Sequence, residues 1–156
     1  MTITVLGSVE AVTPDWLTDV LRREVEFSDI RVTEVAVERS RPTFVSLISR
    51  LRVTYAGMPP PKAPTRLFLK MTNEKWTGGR AGHTEVLFYR TIAPEIRGLP
   101  APRCFDAVFD ETTKRFHLLL EDLSESHREF TDTFLPPTVP ECERIMEALA
   151  RLHASR

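Results

Sequence analysis

Two side chains of this 156-residue chain, Lys70 and Glu85, have the types and the spacing to do chemistry together. Lys70 lies in a dense apolar run, 67–71, that predicts a buried strand, and a lysine is almost never buried without a counter-charge. Glu85 opens a helical pattern and shares its apolar face, so its carboxylate is expected to point toward the core and to need a cation there. The other residues on that face are Phe88, Tyr89 and Ile92.

The same residues have a second interpretation. Glu85 in the first turn of a helix also complements the positive end of the helix dipole, which contributes about 0.3–1 kcal/mol, and Lys70 is then a solvated edge residue. The residues alone leave both interpretations open. A second apolar run, 118–123, follows the helix, and this order of lysine strand, helix and apolar strand indicates a nucleotide cleft.

The composition is that of an ordinary globular protein, with 42% hydrophobic and 28% charged residues, and we predict a single domain over 1–156. Twenty-one basic and 22 acidic side chains give a net charge of −1, which argues against nucleic acid and anionic membranes as partners. No stretch reaches membrane-spanning length, and the first residues do not form a secretory signal. A cytoplasmic location is therefore expected.

The cysteines and histidines show no metal-binding spacing, so we predict no metal site. Cys104 and Cys142 are far apart and are expected to be reduced thiols. Solvated or packed rings are favoured over metal ligands for the four histidines, which are His83, His117, His127 and His153.

Hydrophobic periodicity and helix signals predict an α+β arrangement. Thr13 caps a helix that starts at Pro14, a second helix covers 84–93, and a third runs from Pro140 almost to the end. Five strands are predicted at 30–39, with a bulge near Glu34, and at 44–55, 67–71, 103–109 and 115–121. The unbroken leucines 118–120 predict burial on both faces of the last strand.

Three glycines, Gly78, Gly79 and Gly82, precede the second helix, where backbone amides at a helix N-terminus can hold a phosphate. Their spacing matches neither the dinucleotide-binding nor the Walker motif. A linker explains the same glycines, so a phosphate cradle and a linker both stay open.

Several segments in this order resemble small-molecule phosphotransferases of the protein-kinase-like fold: aminoglycoside phosphotransferases, choline kinases and especially ecdysteroid-kinase-like proteins. The segments are FVSLISRLRVTY, RLFLKM, EVLFYRTIAPEI, PRCFDAVFDETTKRFHLLLEDLS and ALARLHAS. The resemblance implies a kinase-like N-terminal lobe. Such a lobe has a five-stranded antiparallel sheet, a helix between strands 3 and 4, and helices near both termini.

The resemblance also implies an ATP site between this lobe and a larger C-terminal lobe. Lys70 matches the lysine that contacts the α- and β-phosphates, and Glu85 matches the glutamate that positions it. The main-chain carbonyl of Glu121 and the amide of Leu123 match the hinge that meets the adenine edge. Phe68 is then expected to pack on the adenine ring.

The chain departs from the family pattern in two places. The first hairpin, 40–46, contains no glycine. Its backbone is therefore not expected to approach a phosphate closely, and any contact to phosphate would come from side chains such as Ser46. The catalytic-loop aspartate, its downstream asparagine and the metal-binding aspartate do not occur, and the Mg²⁺ ligands are expected in the C-terminal lobe. The segment 127–129 is interpreted as solvated loop because it follows the hinge too closely.

These residues support three hypotheses. The first is the nucleotide-binding lobe of an ATP-dependent phosphotransferase that acts on a hydroxyl group of a small molecule and is inactive without its C-terminal lobe. The alternative is a non-catalytic kinase-like module that binds a nucleotide or a protein. The third is a structural α+β domain in which Lys70 and Glu85 are surface residues. Self-association is also expected through apolar residues of the last helix, which are Ile145, Met146, Leu149 and Leu152.

Overall fold

The computed structural model describes residues 4–75, 80, 82–96, 98, 100–127 and 136–154. Its five strands form one antiparallel sheet in the order β1-β2-β3-β5-β4. The strands are β1 (Val32–Pro42), β2 (Ser46–Tyr55), β3 (Arg66–Thr72), β4 (Cys104–Phe109) and β5 (Phe116–Glu121). The α-helices are α1 (Pro14–Leu21), α2 (His83–Leu87) and α3 (Val139–Ala154). The predicted fold class, with a helix between the third and fourth strands, is confirmed.

The sheet buries a different apolar cluster on each face. Alternate residues of β2 and β3, such as Leu51 and Leu67, are paired and pack with α1 in the larger cluster. On the other face, Leu118 and Leu120 of β5 pack with Val86 of α2. Residues 116–120 of β5 are accordingly all buried, as the unbroken leucines predicted.

The first helix begins as its sequence predicts. The Thr13 hydroxyl accepts a hydrogen bond from the Trp16 N–H at 3.1 Å, and Pro14 occupies the first turn. Further along, the Thr18 hydroxyl accepts the Val32 N–H at 3.0 Å and ties the helix to the start of β1. The apolar face of α1 is thereby held over the larger cluster.

Two predicted elements differ from the structure. The first strand is shifted toward its hairpin, since β1 runs to Pro42, although the bulge between Val32 and Glu34 is confirmed. The helix predicted over 84–93 is α-helical only to Leu87 and continues as a π-helical turn, Phe88–Ile92, and a 3₁₀ turn, Ala93–Glu95. Because a π turn is wider than an α turn, the predicted face rotates, and Ile92 is 48% exposed instead of core-facing.

A buried histidine joins the N-terminal segment to the sheet. His117 is 0% exposed, and its Nδ1 accepts a hydrogen bond from the Leu6 N–H at 3.1 Å. Nε2 must then carry the ring proton, which it donates to Asp106 Oδ2 at 2.9 Å. Arg23 donates to the other carboxylate oxygen at 2.8 Å. The sequence predicted either a packed or a solvated ring for His117. In the structure the ring is packed, and both of its nitrogens are hydrogen-bonded.

These partners change the acidity of Asp106. Burial raises the pKa of Asp106, but the hydrogen bonds and charges of His117 and Arg23 outweigh burial and hold the pKa below its ordinary value. A carboxyl whose folded-state pKa is lowered stabilises the fold above its unfolded pKa of about 3.9, and this contribution is lost as the pH falls through the folded value.

We therefore predict that Asp106→Asn lowers the free energy of unfolding by about 1–3 kcal/mol at pH 7 and makes its decline below about pH 4 shallower than in the wild type. Urea unfolding between pH 7 and pH 2.5 measures both effects. The control is Asp19→Asn, at an exposed position of α1, which should leave the acid slope unchanged. An equally steep acid slope in Asp106→Asn contradicts the prediction.

Candidate functional site

The structure brings Lys70 and Glu85 into direct contact. Lys70 Nζ lies 2.6 Å from Glu85 Oε2, and the two side chains are 26% and 37% exposed. Lys70 is opposite Leu118 of β5 in register, so its side chain shares the sheet face that packs against α2. A separation of 2.6 Å is a charge-assisted hydrogen bond, which argues against the hypothesis that both are ordinary surface residues.

The helix that carries Glu85 is anchored by its neighbours. Val86, the next residue, is 3% exposed within the smaller apolar cluster, and Tyr89 packs at the edge of that cluster. Burial, helped by the nearby Cys104 and Glu85, raises the pKa of Tyr89 to about 12, so its hydroxyl stays protonated. Glu85 therefore approaches the sheet at the boundary between buried and exposed surface, where its carboxylate can meet Lys70.

A cavity of about 520 Å³ opens at the end of β5, and neither Lys70 nor Glu85 is among its wall residues. Its wall residues are Arg50, Phe68, Pro102, Leu120, Glu121, Asp122, Leu123, Ser124 and His127. Three residues predicted from the sequence, Phe68, Glu121 and Leu123, thus lie together. Phe68 is two residues from Lys70 on the same face of β3, so the cavity and the ion pair follow one strip of the sheet.

The segment after β5 has a fixed shape. The Glu121 N–H donates to the Arg103 carbonyl at 2.8 Å, and the Glu121 carboxylate accepts the Arg103 N–H at 3.2 Å. The Leu123 carbonyl accepts the N–H groups of Ser126 and His127 at 3.0 and 2.8 Å. The chain therefore turns sharply at the cavity mouth.

Arg103 links the segment after β5, which the resemblance matches to the hinge, to the N-terminal part of the chain. Its guanidinium pairs with Glu24 at 2.8 Å and also with Glu26. The guanidinium carbon lies 5.1 Å from the Phe27 ring centre and 5.3 Å from that of Phe105, within cation–π range. The hinge is thus supported from the sheet face opposite to Lys70.

Sequence reasoning missed Asp122 and Arg50. The Asp122 side chain is 3% exposed, and its Oδ1 accepts the Ser124 N–H at 2.9 Å. Within the part of the chain that the structure describes, Asp122 Oδ2 has no hydrogen-bond partner, and Arg50 Nε lies 3.9 Å from it. The signal available in the sequence was an acid directly after a buried strand, which needs either a cap or a cation.

The glycine-free hairpin between β1 and β2 is closed by a side chain. The Thr43 hydroxyl donates to the Ser46 carbonyl and accepts the Ser46 N–H, both at 2.9 Å. Asn73 Nδ2 donates to the Thr43 carbonyl at 2.7 Å, while the Phe44 ring at the tip is 83% exposed. Ser46, predicted as a phosphate contact, is 3% exposed and lies on the same sheet face as Lys70. The Thr43 side chain therefore fixes the turn, whereas glycines in a hairpin would leave its backbone free to adopt other conformations.

Two predicted features lie partly outside the described residues. Gly78 and Gly79 lie outside them, and so do Arg128 and Glu129 of the segment interpreted as solvated loop. Gly82 is described and begins α2, and His127 is exposed with its Nδ1 2.8 Å from the Ser126 hydroxyl.

The described residues lack two other kinds of functional feature. They contain no group of three or more acidic, histidine or cysteine side chains arranged to hold a metal ion. They likewise include no helix with the length and apolarity needed to cross a bilayer. Cys104 and Cys142 are both free thiols, and burial raises the pKa of Cys104 to about 12.

We predict that Thr43→Val destabilises the protein by about 1–2 kcal/mol, because the isosteric side chain cannot make the two bonds to Ser46. Amide exchange at Ser46 should accelerate, as measured by hydrogen exchange with NMR detection. Thr33→Val is the matched control, since that exposed hydroxyl makes a longer bond of 3.2 Å to the Thr54 carbonyl. Unchanged exchange at Ser46 would show that the side chain does not close the turn.

Comparison with known proteins gives one match. Residues 42–155, most of the chain, match the family model described as the Ecdysteroid kinase-like family. Neither a curated protein nor a solved structure matches the chain.

Proposed function

Because the chain belongs to the ecdysteroid kinase-like family, a family of protein-kinase-like phosphotransferases, we propose that it is the nucleotide-binding lobe of an ATP-dependent phosphotransferase. The observation that carries the proposal is the 2.6 Å contact between Lys70 and Glu85, on the sheet face where Phe68, two residues from Lys70 on β3, lines a cavity of about 520 Å³. The acceptor is a hydroxyl group of a small molecule.

The residues present fit a purine nucleotide. The cavity walls combine the apolar side chains of Phe68, Leu120 and Leu123 with the main chain of the hinge segment, which suits a flat ring with a polar edge. The main-chain carbonyl of Glu121 and amide of Leu123 are the groups we assign to that edge. Phe68 packs against the ring face, and the phosphates then extend along β3 toward Lys70.

The role of Glu85 is to orient Lys70. Two unit charges at about 4 Å interact by roughly 4 kcal/mol at an effective dielectric near 20, before desolvation and solvent screening are subtracted. Both groups are partly exposed, so little of this energy remains as stability. What the pair supplies is a fixed direction for the ammonium group, which places it against the α- and β-phosphates. Ser46 and the hairpin above it bound the phosphate end of the site.

Phosphoryl transfer requires groups beyond these. We propose that the catalytic base and the Mg²⁺ ligands lie in a C-terminal lobe, and that residues 1–156 do not catalyse transfer by themselves. ATP supplies the phosphoryl group and Mg²⁺ neutralises its charge when both are bound. The free thiols and the use of ATP support a cytoplasmic location.

A non-catalytic nucleotide-binding or protein-binding module is the second candidate. The observation that favours it is the hairpin closed by Thr43, because a fixed turn presents fewer backbone amides to phosphate than a glycine-rich loop does. Affinity separates the two candidates. A lobe that covers only one side of the ligand binds weakly, with Kd on the order of millimolar, whereas a dedicated module binds far more tightly.

We predict that Lys70→Met weakens binding of MgATP at least tenfold, since a charge-assisted contact contributes about 1.5–3 kcal/mol. Glu85→Gln should weaken binding less, about threefold to tenfold, because it removes only the orientation of Lys70. Displacement of fluorescent trinitrophenyl-ATP measures both. Lys114→Met is the matched control, since Lys114 makes a comparable ion pair of 2.8 Å with Glu111 in the turn between β4 and β5. Wild-type affinity in Lys70→Met would exclude the proposed phosphate contact.

The helix α3 gives the lobe a surface for association. None of its described residues is buried, and its largest exposed side chains are Val139, Ile145, Met146 and Leu149, at 42–71% exposure. Thr138 and Glu141 cap the helix through two hydrogen bonds of 2.7 Å, so its start does not depend on packing. We propose that this apolar face packs against another protein surface. In a solution of the 156-residue chain, that surface belongs to a second copy of the chain.

We predict that the 156-residue chain associates as its concentration rises, and that Met146→Glu with Leu149→Glu shifts it to monomer by placing charges in the interface. Sedimentation velocity from 5 to 200 μM measures the change, and Glu143→Gln on the same helix is the control. A wild-type chain that sediments as a monomer throughout contradicts the proposal.

A further inference from the structure

Gly82 sits where no other residue fits. It begins α2 with φ of +85°, in the left-handed region that side chains rarely adopt. A Cβ atom at this position would lie closer than 3.0 Å to three ring atoms of Phe116, a separation that Cβ atoms essentially never show. The absence of a side chain is therefore what lets the helix start touch β5.

The ring that Gly82 meets has no room to move. Phe116 is 1% exposed and belongs to the smaller apolar cluster with Val86, Leu118 and Leu120. Its main chain is fixed as well, because its N–H donates to the Thr72 hydroxyl at 2.8 Å. Any side chain added at position 82 must consequently displace the helix and not the ring.

The same end of α2 is tethered to the turn between β4 and β5. Arg80 pairs with Glu111 at 2.9 Å, and the His83 ring meets the Phe109 ring edge-on with centres 4.8 Å apart. These contacts draw the start of the helix toward the sheet. Because residue 82 has no side chain, the start of α2 can come close enough to the sheet to make both contacts.

Glu85 lies one turn along the same short helix. The Val86 N–H donates to the Gly82 carbonyl at 2.8 Å, so Gly82 and Glu85 belong to one rigid turn. On the sheet, Phe116 and Leu118 are alternate residues of β5, and Leu118 is the register partner of Lys70. The contact between Gly82 and Phe116 and the contact between Glu85 and Lys70 thus span the same gap between helix and sheet.

A small change in this gap is enough to break the ion pair. Carbon atoms in ordinary contact are about 3.5–4.0 Å apart, so a Cβ at position 82 would push the helix start outward by more than about 0.5 Å. Lys70 Nζ and Glu85 Oε2 are 2.6 Å apart, and such a movement takes them beyond about 3.1 Å, outside the roughly 2.7–2.9 Å range of charge-assisted hydrogen bonds.

We propose that Gly82 is a positioning residue that sets the distance between Glu85 and Lys70, and that it is neither a phosphate cradle nor a linker. The inference rests on the proposed function, in which Lys70 contacts the nucleotide phosphates. Gly82 itself touches no phosphate and acts through Glu85.

The test compares Gly82→Ala with Gly57→Ala. Gly57 also has a positive φ, +76°, but a Cβ there meets nothing within 4 Å, so this control bears the same backbone penalty without the clash. We expect Gly82→Ala to weaken displacement of trinitrophenyl-ATP by MgATP as much as Glu85→Gln does, about threefold to tenfold, and Gly57→Ala to leave it unchanged. In the Gly82→Ala background, Glu85→Gln should have no further effect, because the pair is already broken.

Full additivity of Gly82→Ala and Glu85→Gln would overturn the inference, since Gly82 would then act independently of Glu85. A Gly82→Ala chain that does not fold, while Gly57→Ala folds, would also overturn it and make Gly82 a requirement of the whole sheet.

A readout without nucleotide separates this inference from the proposed function. The coupling of Lys70 with Glu85 is measured from the urea midpoints of Lys70→Met, Glu85→Gln and the double variant. We expect a nonzero coupling in the wild type and none in the Gly82→Ala background. If the wild-type chain does not bind MgATP, the proposed function fails, and the loss of coupling alone then decides the role of Gly82. A coupling that persists in Gly82→Ala overturns it.

Discussion

The contact between Lys70 and Glu85 constrains the rest of the structure, because a cation and an anion at the edge of an apolar cluster must stay within reach of each other. Lys70 is fixed by the register of β3 between β2 and β5. Glu85 is fixed by α2, whose start can lie against the Phe116 ring because residue 82 is a glycine. The strand pairing, the smaller apolar cluster and the glycine before α2 together set the distance between Lys70 Nζ and Glu85 Oε2.

The two sheet faces differ in what they carry. The larger cluster, with α1 over it, contains most of the fully buried side chains. The face toward α2 carries a smaller cluster, and beyond its edge lie the ion pair and the cavity. This separation means that the ion pair and the polar wall of the cavity do not interrupt the larger cluster. The buried His117 and its partner Asp106 do not line the cavity, and both ring nitrogens of His117 are hydrogen-bonded.

The sequence located the strands and offered the Lys70–Glu85 pair as one of two interpretations. β-branched residues, one alternating run and short apolar runs indicated the five strands, and the need of a strand lysine for a counter-charge led to Glu85. The sequence did not predict the features that depend on how separate elements pack against each other. The π turn after Leu87 rotated Ile92 out of the core, and no periodicity reports such a turn. Asp122 with Arg50, and His117 with Asp106, are pairs between distant segments, so neither residue shows its partner locally. Gly82 looked like part of a flexible stretch because its neighbour, the Phe116 ring, is brought to it only by the fold.

Arg103 connects the segment after β5 to residues that precede the family match. The family match starts at residue 42, yet the hinge is braced by Arg103, which reaches back to Glu24, Glu26 and Phe27. The segment before residue 42 also supplies α1 and nearly all of β1. Homology alone would place the domain boundary inside the first strand and discard half of the larger core. The residues that build the sheet and the larger cluster therefore extend further toward the N-terminus than the family match.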